Sequence, residues 1–213
     1  MNQSCAVVYN GFMLPKTAPP EPVWEIAKLF PPQGSWSLDD YLALEAGTNH
    51  LIEFSDGNIE VLPPPSIQHQ RIARALFYRL FSFVRQYNLG EVFFAPTKVA
   101  LWENKIREPD VFYVSHANLE YQTEQWFERI DLAIEIVSPD DPGRDLETKR
   151  EEYAQAGIPE YWIVEPRREE IMVLTLSGGR YEVHAVFGVG DTAVSALLDG
   201  FSIPVSEVFA HAR

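Results

Sequence analysis

Two acidic residues sit where a chain rarely leaves a carboxylate. Asp110 opens the apolar run Pro109-Asp110-Val111-Phe112-Tyr113-Val114, and Glu135 lies inside Leu132-Ala133-Ile134-Glu135-Ile136-Val137. Runs that are apolar at nearly every position read as strands buried on both faces. A carboxylate in such a strand must be protonated, paired with a cation or bound to a metal. Two of them on successive strands point to a metal site, and a metal site points to hydrolysis. The competing reading is a buried salt bridge to an Arg or Lys of a neighbouring helix, since an unpaired buried ion costs several kcal/mol.

Lys149 is the cation that fits. After the second run, Leu146, Lys149, Tyr153 and Ala156 recur at helical spacing and mark the stripe that faces a sheet. A lysine on that stripe either snorkels its head out to water or aims it at Glu135. His69, one turn before Ile72 and Ala73, sits on the core side of its own helix. It is a candidate accessory group, although a histidine at a helix start is more often structural. Glu53 and Glu60 of an upstream hairpin could approach the same place, although nothing in their spacing shows it. His50, His116, His184 and His211 form no metal-ligand spacing. There is no glycine-rich phosphate loop and no nucleophile-elbow serine.

The elements that must position these groups follow from periodicity. Residues 1–35 hold six prolines and read as an irregular arm, which Trp24, Ile26, Leu29 and Phe30 could dock onto the domain or a second subunit. A single domain is expected over 36–213. Ser37 caps a short helix reaching about Glu45. Leu51 to Leu62 reads as a hairpin turning at Asp56-Gly57-Asn58. Ser66 caps a helix to about Tyr87 with Ile72, Leu76, Leu80 and Val84 on one face. Strands are expected over 91–101, 109–115 and 131–138, a helix over 145–156 ending at Gly157, a strand over 158–164, and a hairpin over 171–187. The order from Ser66 to Val164 is αβββαβ, a mixed α/β sheet with a hairpin added at each end.

Composition narrows the function classes. The 213 residues are 46% hydrophobic and 23% charged, an ordinary globular balance. One cysteine, no span-length apolar stretch and no secretory signal at the N-terminus together predict a cytoplasmic protein rather than a membrane one. A net charge of −14 argues against coating nucleic acid with the whole surface. Residues 66–110, with seven basic and four acidic side chains, carry the positive balance. Arg71, Arg74, Lys98, Lys105 and Arg107 are therefore either a local phosphate-binding surface or a solvated face.

Taken together, the motifs resemble a known family. Asp56-Gly57 and the proline run, His69-Gln70, Pro109-Asp110, Glu135-Ile136-Val137-Ser138-Pro139, Arg144-Asp145-Leu146 to Lys149 and Tyr153, Ala156-Gly157-Ile158-Pro159-Glu160-Tyr161-Trp162 and Phe201-Ser202-Ile203 are its carriers. They are similar to the Uma-two family of restriction-endonuclease-like proteins, a branch of the PD-(D/E)XK nuclease superfamily, over about Trp36 to Phe209. The resemblance implies a restriction-endonuclease-like core and a metal-dependent endonuclease that hydrolyses phosphodiester bonds in DNA. It implies Asp110 and Glu135 as metal-binding acids and His69 as an accessory residue. The superfamily places a lysine two residues after the second acid. That position is Val137 here, and Lys149 is the expected substitute. Oxygen ligands suit Mg²⁺ or Mn²⁺. Expected partners are nucleic acid, held by a local basic surface, and a second copy in a homodimer. The alternatives are a nuclease fold retained as a binding or assembly module, and RNA or a small phosphoester as the substrate.

Overall fold

In the computed structural model, residues 29–138 and 141–210 are described in full, together with the backbone of a short strand pair, Val8–Tyr9 and Phe12–Met13. Apart from that strand pair, the expected arm at 1–35 lies outside the described residues up to position 28. Its last part packs on the first hairpin: Gln33 exchanges hydrogen bonds with the Ile59 backbone, and Phe30 stacks on Trp36.

Helix α1 (Leu38–Gly47) begins at Ser37, whose hydroxyl accepts from the Asp40 N–H while Asp40 caps in return. Strands β1 (Leu51–Ser55) and β2 (Asn58–Leu62) form the hairpin. Its turn uses positive φ at Asp56 (47°) and Gly57 (81°), which matches the twist of the two strands. Helix α2 (Ile67–Tyr87) buries Ile72, Leu76, Leu80 and Val84, the stripe its sequence period predicts.

The strand expected over 91–101 is two strands in two sheets. β3 (Gly90–Phe94) and β4 (Lys98–Trp102) are separated at Ala95-Pro96-Thr97, where proline removes a ladder donor. β5 (Lys105–Arg107), β6 (Val111–Ser115), β7 (Trp126–Phe127) and β8 (Leu132–Ile136) follow. A π-helical turn, Arg144–Thr148, then leads into helix α3 (Lys149–Gln155). After Gly157 at φ 80° come β9 (Glu160–Glu165), β10 (Glu170–Ser177) and β11 (Arg180–Phe187). The chain closes with β12 (Thr192–Val194), β13 (Ser202–Pro204) and α4 (Val205–Phe209).

The main sheet runs β11-β10-β9-β8-β6-β3, with β8 and β9 parallel and the other neighbours antiparallel. Within it, α2-β3-β6-β8-α3-β9 is the expected αβββαβ core. Leu132, Ile134 and Ile136 of β8 pack against α2 and α4, while Ala133 and Val137 pack towards Tyr153 of α3. The period of two therefore turns Glu135 towards α3. The second sheet, β2-β1-β5-β4-β7, carries Glu53 and Arg107. Among the described residues no helix is long and apolar enough to cross a membrane.

Candidate active site

The two carboxylates and the lysine meet. Asp110 lies at the mouth of β6, where its Oδ2 accepts the Ile136 N–H at 2.8 Å and so is tied to the end of β8. Glu135, one residue earlier on β8 and 2% exposed, pairs through Oε1 with Lys149 Nζ at 2.8 Å and accepts the Tyr153 hydroxyl at 2.5 Å. Lys149 is buried and also lies 3.4 Å from Asp145 Oδ1. His69 Nε2 stands 3.1 Å from Asp110 Oδ2, and its buried Nδ1 has no partner among the described residues. Asp110, Glu135, Asp145, Lys149 and His69 line one cleft of about 530 Å³. These contacts fall on one oxygen of each β-strand acid, which leaves Oδ1 of Asp110 and Oε2 of Glu135 for a ligand.

The π turn brings Asp145 into this group. With the Lys149 N–H bonded to the Arg144 carbonyl, five residues back, the turn is wider than an α-helix. It directs both Asp145 and Lys149 inward. Asp145 also accepts the Ser138 N–H at 3.3 Å, and its carbonyl accepts the Tyr161 hydroxyl at 2.9 Å.

The electrostatics follow from burial and crowding. Burial pushes Glu135 up to about 8 even with Lys149 beside it, and Asp110 and Asp145 add to the rise. Burial likewise raises Asp145. For Lys149 burial opposes the charge, but Glu135, Glu53 and Asp145 outweigh it and raise its pKa, so the ammonium stays charged. For His69 burial also opposes the charge, and the hydrogen bond to Asp110 outweighs it. A crowded set of buried acids that resists ionisation is relieved by an added cation. The donor set fits a hard metal: two carboxylates, each with an unengaged oxygen. Among the described residues no group of three or more His, Cys, Asp or Glu could hold a metal ion, so water would have to complete the shell, as Mg²⁺ prefers.

Behind the site lies an ionic lattice that sequence reasoning did not find. Arg107, 1% exposed, donates to Glu53 at 2.8 Å, to Glu60 at 2.9 Å and to both oxygens of Glu152 at 2.7 and 2.8 Å. Arg144 reaches Glu53 and Glu60 from the π turn, and Lys105 pairs with Glu152 and Asp56 at 3.0 Å each. Lys98 pairs with Glu45 at 2.6 Å. The basic window is therefore corrected in part. Lys98, Lys105 and Arg107 are largely buried and paired with the chain's own carboxylates rather than presented as a phosphate-binding surface, whereas Arg71 and Arg74 are exposed on α2. One signal was available: Glu53 interrupts Ile52-Glu53-Phe54 just as Glu135 interrupts its own strand.

The lattice sets an acid limit on stability. Burial works against the charge on Glu53, but Lys149, Arg107 and Arg144 outweigh it and hold its pKa below 4.5. Arg107 does the same for Glu152. A depressed carboxylate stabilises the fold above its unfolded pKa, and that contribution is lost as pH falls through the folded one. Raised carboxyls such as Glu135 work in the opposite direction between about 8 and 4.5. The Tm is therefore expected to rise modestly from pH 8 to about 5 and to fall steeply below 4.5. Differential scanning calorimetry across this range checks it, and a Tm still rising at pH 3 contradicts it.

The comparisons agree with this architecture. The crystal structure of "a putative nuclease belonging to DUF820" from Anabaena variabilis ATCC 29413 superimposes with a TM-score of 0.68. It covers 83% of this chain and 99% of that one at 18% identity, a likeness of fold. No curated protein matches the chain. The model of the Uma2 family, described as "Putative restriction endonuclease", matches residues 38–206, a span that holds every group of the cleft. Sharing that span, its fold and its motifs, the chain belongs to the Uma2 family.

Proposed function

We propose that the protein is a metal-dependent endonuclease that hydrolyses phosphodiester bonds in DNA. The observation that carries this reading is the convergence of Asp110, Glu135 and Lys149 in one cleft, with Lys149 Nζ 2.8 Å from Glu135 Oε1. Asp110 and Glu135 would hold Mg²⁺ or Mn²⁺ through their unengaged oxygens. Such an ion, when bound, acidifies a water and neutralises charge on the phosphate.

The chain's own groups do the rest. Lys149, held charged by three carboxylates, presents a fixed point charge where negative charge develops on the phosphoryl oxygens. It also occupies the role that Val137, buried in the apolar cluster beside Tyr153, does not fill. Tyr153, fully buried, fixes the Glu135 carboxyl by donating to Oε1. His69 orients Asp110 through Oδ2. The test is conversion of supercoiled plasmid to nicked circles by purified protein in Mg²⁺ or Mn²⁺. Nicking that stops with chelator is expected, and undiminished nicking in chelator overturns the metal-dependent reading.

A second reading has one observation in its favour. Tyr153 and Lys149 both engage Glu135 Oε1, which also suits a structural ion pair in a nuclease fold kept as a binding module. Failure of every plasmid, duplex and single-stranded substrate to be cut in either metal would favour it.

A further inference from the structure

The cleft contains one acid that the proposed reaction does not use. Glu108 lines it and is 7% exposed. Its backbone N–H donates to Glu53 Oε1 at 3.1 Å, but its side chain forms no hydrogen bond or ion pair among the described residues. The cations that could have neutralised it are engaged elsewhere: Lys98 with Glu45, Arg107 with Glu53, Glu60 and Glu152. A side chain more than nine-tenths buried and without a partner, on the wall of an open cleft, asks for a ligand that donates hydrogen bonds.

The rest of the wall says what kind. Leu51, Leu62, Pro63, Pro64 and Pro96 give the cleft an apolar portion, alongside the charged portion that holds Lys149 and Arg144. The phosphate belongs at the Lys149 end of the cleft; against Glu108 it would meet an acid, and it gains nothing from prolines. A nucleobase has a flat face to pack on apolar rings and exocyclic amino groups to donate to a carboxylate. Within a duplex those amino groups are committed to pairing or turned into a groove, and bases must leave the stack to enter such a pocket. The cleft's volume of about 530 Å³ suits a small ligand of nucleotide size. The net charge of −14, with Lys98, Lys105 and Arg107 internalised, also leaves little of the basic surface that holds a duplex by its phosphates.

We propose that the cleft takes one unpaired nucleotide next to the scissile phosphate, its base against the proline–leucine wall and its amino group donating to Glu108. The substrate class is therefore single-stranded or locally unpaired nucleic acid rather than uninterrupted duplex. This deepens the phosphodiesterase reading and rests on it for the word "scissile", but the binding it predicts needs no turnover.

The experiment uses full-length protein and fluorescent 12-mers of oligo(dC), oligo(dA) and oligo(dT), with the first two also annealed to their complements. Binding is read by anisotropy in chelator, and cleavage is read on gels in Mn²⁺. Unpaired dC and dA are expected to bind about tenfold more tightly than dT, the scale of one good base-edge contact, and more tightly than their own duplexes. In Glu108→Ala the ratio of dC to dT should collapse towards one. Glu108→Gln keeps the shape and serves if the alanine variant fails to fold. It should narrow the ratio, because an amide both donates and accepts. Equal affinity for strands and duplexes, or a dC to dT ratio unchanged in both variants, overturns the inference. If the binding preference holds but nothing is cut, the inference stands as a binding site and the nuclease reading falls.

Discussion

Arg107→Ala is expected to lower stability by about 3–5 kcal/mol, the usual cost of leaving buried charges without their partner. Arg107 is a hub. It lies on β5 of the second sheet and is 1% exposed, and it joins Glu53 of β1, Glu60 of β2 and Glu152 of α3. Removing it leaves Lys105 and Arg144 to neutralise three acids, of which Glu53 is wholly buried. Lysine at this position should recover little, because a single ammonium cannot form the forked bonds that a guanidinium makes to Glu152. Urea denaturation followed by tryptophan fluorescence measures the loss. A change below about 1 kcal/mol would mean that the lattice relaxes by admitting water, and would refute the claim that it ties the second sheet to the helix bearing Lys149.

The second large effect separates metal binding from turnover. Glu135→Ala should abolish both Mn²⁺ binding, read by calorimetric titration, and cleavage of DNA. Lys149→Ala should keep much of the Mn²⁺ binding yet lose about 10²–10³-fold in cleavage rate, the range for deleting one group that stabilises developing charge. The two variants differ because of how the pair is built. Without Lys149, Glu135 keeps the Tyr153 hydrogen bond and a cation can take over the neutralisation of its charge. Without Glu135, Lys149 keeps Asp145 as its one acidic partner within 4 Å among the described residues, and the metal loses a ligand. Melting curves for both variants separate site loss from unfolding. Normal cleavage by either variant would sink the assignment of Asp110, Glu135 and Lys149 as the working set.

Much of the framework was legible locally. The α2 stripe of Ile72, Leu76, Leu80 and Val84, the Ser37 and Ser66 caps and the Asp56-Gly57 turn are encoded within a few residues of where they act. The inward face shared by Glu135 and Lys149 was legible too, because a period of two in a strand and of 3.6 in a helix assigns faces without knowing the partner. The boundary between β3 and β4 was less so: an apolar run around Ala95-Pro96 reads as one strand until each half is seen to pair in a different sheet.

Local spacing is enough to say which side chains are turned inward and which acids sit in apolar strands. How those charges are shared depends on the folded chain. Arg107 and Lys105, set in a positively charged window, read equally as phosphate binders, but the antiparallel register of β1 with β5 delivers them to Glu53 and Asp56, and the packing of α3 adds Glu152. Those partners lie 45 to 54 residues away along the chain. Glu108 was not singled out at all, because being without a partner is a property of the whole neighbourhood. The reason is physical: periodicity is a local property of the backbone, whereas the neutralisation of a buried charge depends on distances between elements that only the folded chain sets.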